Sequence, residues 1–116
     1  MEEKILMEGL CNRVKNPFYV QNGHGMLTNE RFIYSKHSLA KTVAIGLFVN
    51  LTKGSYEFEI PISEIDSVTR GRQGLSNSVI VINTKKGESY KFAVTKYMEW
   101  EIAFKNVLAN ELNTVN

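Results

Sequence analysis

Cys11, His24, His37 and Asp66 are the side chains best suited to act as nucleophile, general base or metal ligand. They are few: the 116-residue chain has one Cys, two His and one Asp. A catalytic site needs a nucleophile, a base and a group that orients them. No local element holds Cys11 and His24 together, so the expectation is no catalytic residues, a packed cysteine and two surface histidines. One cysteine excludes an intramolecular disulfide, and so thin a donor set argues against a zinc site. No metal and no cofactor are expected. The glycines of Gly23-His-Gly25 and of Gly71-Arg-Gln-Gly74 lie between strand signals. They lack the strand–loop–helix setting that a phosphate cradle requires.

Charge is the other chemistry on offer. Lys and Arg number 14 against 12 Asp and Glu, a net charge of +2. That surplus is too small for a dedicated nucleic-acid binder, whose affinity rests on many phosphate contacts. Nor do Tyr56, Phe58, Tyr90 and Phe92 suit base stacking, because they alternate with polar residues and are expected to point into a core. The total hides a pattern. Residues 13–53 carry Arg13, Lys15, Arg31, Lys36, Lys41 and Lys53 against Glu30 alone. Residues 67–96 carry Arg70, Arg72, Lys85, Lys86, Lys91 and Lys96 against Glu88. An acidic stretch with Glu57, Glu59, Glu64 and Asp66 separates the two blocks. Lys15, Arg70, Arg72, Lys85 and Lys86, placed in loops, are the candidate residues for an anionic headgroup surface, where each cation contributes about 1 kcal/mol.

One segment breaks every alternation. Leu39 to Leu51 has nine apolar residues in thirteen. As a short helix it would be about 20 Å long, less than a bilayer span; as strands it would bend at Gly46. Ile45, Leu47, Phe48 and Val49 are its candidate contact residues. They either dip into a membrane interface, form an exposed patch that pairs with a protein partner or a second copy of the chain, or pack against their own barrel.

The elements that position these residues are mostly strands. Tyr56, Phe58, Ile60 and Ile62 alternate with Glu57, Glu59 and Pro61, and Pro61 marks an edge or bend. Ser78–Thr84 and Ser89–Thr95 flank the polar turn Lys85-Lys86-Gly87-Glu88, a strong hairpin signal. Val79 and Val81 oppose Ile80 and Ile82, so the first arm is expected to be covered on both faces. Asn22 to Gly25 reads as a turn between Phe18–Val20 and Met26–Thr28, and Asn29-Glu30 precedes a strand over Arg31–Ser35. From Tyr97 to Leu112 the apolar residues Tyr97, Trp100, Phe104, Val107 and Leu108 follow helical spacing, with Thr95 as the candidate cap. The whole is a mainly β domain: an antiparallel barrel or sandwich capped by a C-terminal α-helix.

Leu27-Thr28-Asn29-Glu30-Arg31-Phe32-Ile33-Tyr34 resembles the L-T-N-x-R-[LF]-I-[FY] strand pair of bacterial GRAM/PH-like domains. Ile60-Pro61-Ile62-Ser63-Glu64-Ile65-Asp66-Ser67-Val68 is similar to that family's I-P-L-x-D/E-I-x-x-V segment. Glu8-Gly9 and Asn12, Gly74-Leu75, the Lys85–Gly87 turn, Tyr90-Lys-Phe92 and Trp100 follow in the family's order. The resemblance covers roughly residues 8 to 108. It implies a PH-like fold of about seven antiparallel strands with a C-terminal helix, one domain over 1–116 with its core at about 8–110. PH-like folds host many functions, so the role rests on the residues: the thin catalytic set, the two basic blocks and the apolar insert point to a non-catalytic role, either at an anionic lipid surface or as a protein-interaction or self-association module. Two departures stand out: Gly25, where an apolar residue is usual, and the Leu39–Leu51 insert. The Lys…[Lys/Arg]-x-Arg arrangement of the best-known phosphoinositide readers is missing, and Arg70-Gly-Arg72 reproduces its spacing only in a later segment. The acidic start, Met1-Glu2-Glu3-Lys4, lacks the pattern of a secretory signal. With a lone cysteine, the expected address is the cytoplasm, peripheral at the membrane.

Overall fold

β1 (Ile5–Asn16) is the strand on which the rest is assembled. The computed structural model describes residues 3–37 and 56–115, with side chains to residue 110. The Leu39–Leu51 segment, with Ile45, Leu47, Phe48 and Val49, lies outside the described residues.

Among the described residues, eight antiparallel strands run in the order β5-β4-β3-β1-β8-β7-β6, with β2 on the far half of β1. They are β2 (Tyr19–Gln21), β3 (His24–Thr28), β4 (Arg31–Ser35), β5 (Phe58–Pro61), β6 (Ile65–Gln73), β7 (Ser76–Thr84) and β8 (Ser89–Val94). β1 belongs to both halves of the sheet. Its residues Ile5 to Leu10 pair with β3, and Cys11 to Val14 pair with β8. That change of partner curls the sheet into a half-barrel. The helix α1 (Tyr97–Val115) closes it.

The apolar stripe of α1 determines where it sits. Trp100, Phe104 and Val107 are buried against Phe32, Phe92, Ile80 and Ile82. Phe32 is the hub of the aromatic cluster, with ring centroids 5.1 Å from Phe92, 5.7 Å from Phe104 and 6.1 Å from Trp100. The first helical bond runs from the Trp100 N–H to the Lys96 carbonyl. Lys96 therefore holds the cap position, one residue after the expected Thr95.

Several strand assignments hold. Tyr90, Phe92 and Val94 face the core, and β5 is an edge strand ending at Pro61. The β7–β8 turn places Gly87 at φ 91°, a conformation that favours glycine. Val79 is buried on the face opposite Ile80 and Ile82, as expected for a strand covered on both sides.

Three readings need correction. Tyr56 does not share the face of Phe58: it packs beside Met26 and Ile33 on the other side of the sheet, where its ring meets Arg31. Asn22 to Gly25 is not a chain reversal. β2 and β3 both run alongside β1, and the break between them is tied to it by the bond from Cys11 N–H to the Gly23 carbonyl. β1 itself went unread, because apolar residues lie on both of its faces and erase the alternation. Gly25 now has a steric cause. A Cβ there would stand 2.6 Å from Cys11 Sγ, so β1 and β3 require glycine at this crossing.

Candidate functional site

The tip of the β6–β7 hairpin carries Arg72, Gln73, Gly74 and Leu75. β6 shifts register between Gly71 and Gln73. Gly71 lies so close to β7 that a Cβ would meet Val81 Cγ2 at 2.7 Å. Val79 and Val81 face away from the core, so this close approach rolls the hairpin over the outer face of the sheet. There the Gln73 side-chain amide donates to the Pro17 carbonyl at 3.2 Å. Pro17 and Phe18 form the β1–β2 turn, which Asn16 shapes by accepting the Phe18 N–H on its Oδ1 at 2.8 Å.

The two tips enclose an open groove of about 510 Å³ lined by Lys15, Arg72 and Lys91, with Asn16, Gln73 and Ser89 adding polar groups. Among the described residues no carboxylate lines it. The ion pairs lie elsewhere. Glu3 and Glu59 hold Arg31, Glu57 holds Lys36 at 3.2 Å, and Glu64 holds Lys86 at 3.8 Å. The acidic segment at Glu57, Glu59 and Glu64 thus neutralises cations from both basic blocks. None of these pairs involves Lys15, Arg72 or Lys91, so among the described residues the three groove cations keep their charge without a carboxylate partner. Lys15 Nζ lies 5.2 Å from the centre of the Tyr19 ring, which steadies it without cancelling its charge.

Each tip also projects one large apolar side chain. Phe18 and Leu75 are each 98% exposed, and Tyr19 beside Phe18 is 49% exposed. The arrangement is a cationic groove bordered by two tips, each with an exposed apolar side chain.

The sequence candidates divide on this map. Lys15 and Arg72 come together, on strands β1 and β6 rather than in loops. Arg70 does not join them. It shares a cross-strand row with Phe92 and Ile80, its guanidinium lies 4.2 Å from the centre of the Tyr97 ring, and its Nε donates to the Asn77 carbonyl. Lys85 and Lys86 sit in the β7–β8 turn and do not line the groove. Lys91 joins Lys15 and Arg72, although it was counted only as part of a charge block.

The nucleophile candidates are kept apart by register. Leu10 pairs with His24, which puts the imidazole on the outward face of β1 and β3. The next residue, Cys11, points the other way and is fully buried. Burial pushes its thiol well above the ordinary range, which suppresses the thiolate. Among the described residues no group of three His, Cys, Asp or Glu could hold a metal ion. No helix among them is long and apolar enough to cross a membrane.

The fold is similar to that of several solved structures. The C-terminal domain of an unknown protein from Leishmania infantum superposes with a TM-score of 0.67 at 13% identity, over 92% of this chain and 85% of that one. The N-terminal PH domain of human ARAP2 gives 0.63 at 14% identity, over 90% and 80%. The PH domain of human oxysterol binding protein-related protein 11 gives 0.60 at 13%, over 93% and 78%. The chain has a PH-like fold. No family model and no curated protein matches its sequence. Within this PH-like fold, sequence reasoning missed Phe18, Leu75 and Lys91. Two signals were available: an aromatic immediately after Asn-Pro, and an apolar residue in the Gln-Gly-Leu-Ser turn, where polar residues are usual.

Proposed function

We propose that the protein is a non-catalytic PH-like module of the bacterial GRAM type that docks peripherally on anionic membrane surfaces from the cytoplasm. Its 116 residues act as one domain. The single observation that carries this reading is the joined pair of hairpin tips, which carry the exposed Phe18 and Leu75 next to Pro17 and Gly74 of a groove lined by Lys15, Arg72 and Lys91, none of them in an ion pair among the described residues. Fully burying a Phe or Leu side chain contributes about 1.5–3 kcal/mol. Each cation near an anionic surface adds about 1 kcal/mol. Stable attachment needs two signals of this kind, and the tips present both on one face. The Leu27–Tyr34 and Ile60–Val68 motifs support the GRAM assignment.

Co-sedimentation with phosphatidylcholine vesicles, with and without phosphatidylserine, tests the reading. The protein is expected to pellet with the anionic vesicles and to be released as salt rises. Equal binding to neutral and anionic vesicles would falsify the electrostatic half.

A further inference from the structure

A second surface lies at the other end of β1. Over Ile5 to Leu10 this strand pairs with β3 alone, and its other edge faces α1. The two elements leave a groove of about 410 Å³ lined by Leu6, Met7, Ile102 and Ala103, with Glu99 and Asn106 on its helical wall. Leu6 is 45% exposed and Ile102 55%. Leu10 and Met98 continue the apolar surface along each element, two strand repeats from Leu6 and one helical turn from Ile102. Ile102 and Met98 lie off the buried Trp100, Phe104 and Val107 stripe, so core packing does not explain them.

The charge around this groove opposes that of the tips. Glu8 is exposed between Leu6 and Leu10, and Glu99 lines the groove. Among the described residues neither takes part in an ion pair. Of the nearby cations, Lys105 is engaged by Glu101 at 3.7 Å, Lys96 caps the start of α1 and Lys4 lies beyond Leu6 at the start of the strand; none of the three lines the groove. An apolar floor with free carboxylates at its margin selects apolar anchors flanked by Lys or Arg. One wall is a helix and the other a strand edge, so a second helix laid between them can present residues at i, i+3/i+4 and i+7 to the floor.

We propose that the β1–α1 groove docks a basic amphipathic helix of a partner protein. Lys15 and Leu6 are nine residues apart on β1, up to about 30 Å of extended chain. The partner therefore binds away from the hairpin tips, and a tip-bound molecule keeps this groove open.

The probe is a synthetic helix with leucines at three- and four-residue spacing and lysines on its other face. A counterpart with glutamate in place of lysine serves as control. Titrated into the full chain labelled with ¹⁵N, the Leu/Lys helix is expected to shift the amides of Leu6, Ile102, Ala103 and Asn106. The Leu/Glu helix is expected to bind at least tenfold more weakly. Ile102→Ser should weaken the Leu/Lys helix at least tenfold while leaving vesicle binding unchanged. The double variant Glu8→Lys/Glu99→Lys, which alters only exposed charge, should reverse the preference between the two helices. Equal affinity for both helices, or shifts confined to another surface, would overturn the proposal. So would a dimer that buries Ile102, or a loss of vesicle binding in Ile102→Ser, since these would make the groove a self-contact or a membrane contact.

Discussion

The side-chain amide of Gln73 reaches the main-chain carbonyl of Pro17 at 3.2 Å, across 56 residues of sequence. That bond fastens the β6–β7 tip to the β1–β2 turn. It brings the exposed Phe18 and Leu75 onto tips that border the groove of Lys15, Arg72 and Lys91.

Both tip residues are free of core contacts, so their loss should affect attachment and spare the fold. Phe18→Ser and Leu75→Ser are each expected to lower partition onto anionic vesicles about tenfold, equivalent to about 1.4 kcal/mol of interfacial burial. Urea midpoints should stay within about 0.5 kcal/mol of the parent, as for exposed positions generally.

The groove cations should act as a set. Lys15→Ala, Arg72→Ala and Lys91→Ala are each expected to weaken anionic vesicle binding by about 1 kcal/mol, and to flatten its salt dependence. Lys86→Ala should have a smaller effect, because Glu64 already engages that lysine. Arg70→Ala should instead lower stability through the lost stacking on Tyr97, with little change in salt response. Salt titrations of sedimented protein, read beside urea unfolding, separate the two behaviours.

Much of the fold was legible before any coordinates. Ser89–Thr95 alternates with period two and the stripe from Tyr97 follows helical spacing, while the Lys85–Glu88 turn, with its Gly87, marks Ser78–Thr84 as the other arm of a hairpin. β1 escaped because Leu6 and Leu10 are apolar on its outer face while Met7 and Cys11 are apolar on the inner one. The groove was half legible. Basic residues could be counted, but which of them carboxylates would cancel depends on register. Arg31 opposite Pro61, beside Glu59, illustrates this. Arg70 and Arg72 look equivalent in sequence. Successive residues on a strand alternate faces, so that spacing suggests a shared face. The register shift after Gly71 sends Arg72 to the groove while Arg70 lies on Tyr97.

Crowding at the β1–β3 crossing gives a stability prediction. Gly25→Ala forces a methyl group against Cys11 Sγ and the Phe32 ring, and is expected to cost about 1–3 kcal/mol. Adding Cys11→Ala should recover part of that loss, a coupling that a double-mutant cycle in urea would measure.

Trp100 closes the open end of the half-barrel at 1% exposure, against Phe32 and Phe104. Trp100→Ala is expected to destabilise the protein by about 3–5 kcal/mol. A change under about 1 kcal/mol would mean that α1 adds little to the core.

Cys11 should be silent to thiol reagents in the folded protein. It is buried, and its raised ionisation leaves little thiolate to react. Labelling by a maleimide is expected only as fast as the protein unfolds, and should become immediate in denaturant.

That silence permits the most direct test of membrane docking. A single cysteine introduced by Leu75→Cys can carry an environment-sensitive fluorophore such as NBD, with Ile102→Cys labelled in the same way as a control. On addition of phosphatidylserine-containing vesicles, the label at position 75 should brighten and shift to the blue, while the label at position 102 should not change. A blue shift at 102 with none at 75 would contradict the account, because the membrane would then be meeting the opposite end of β1.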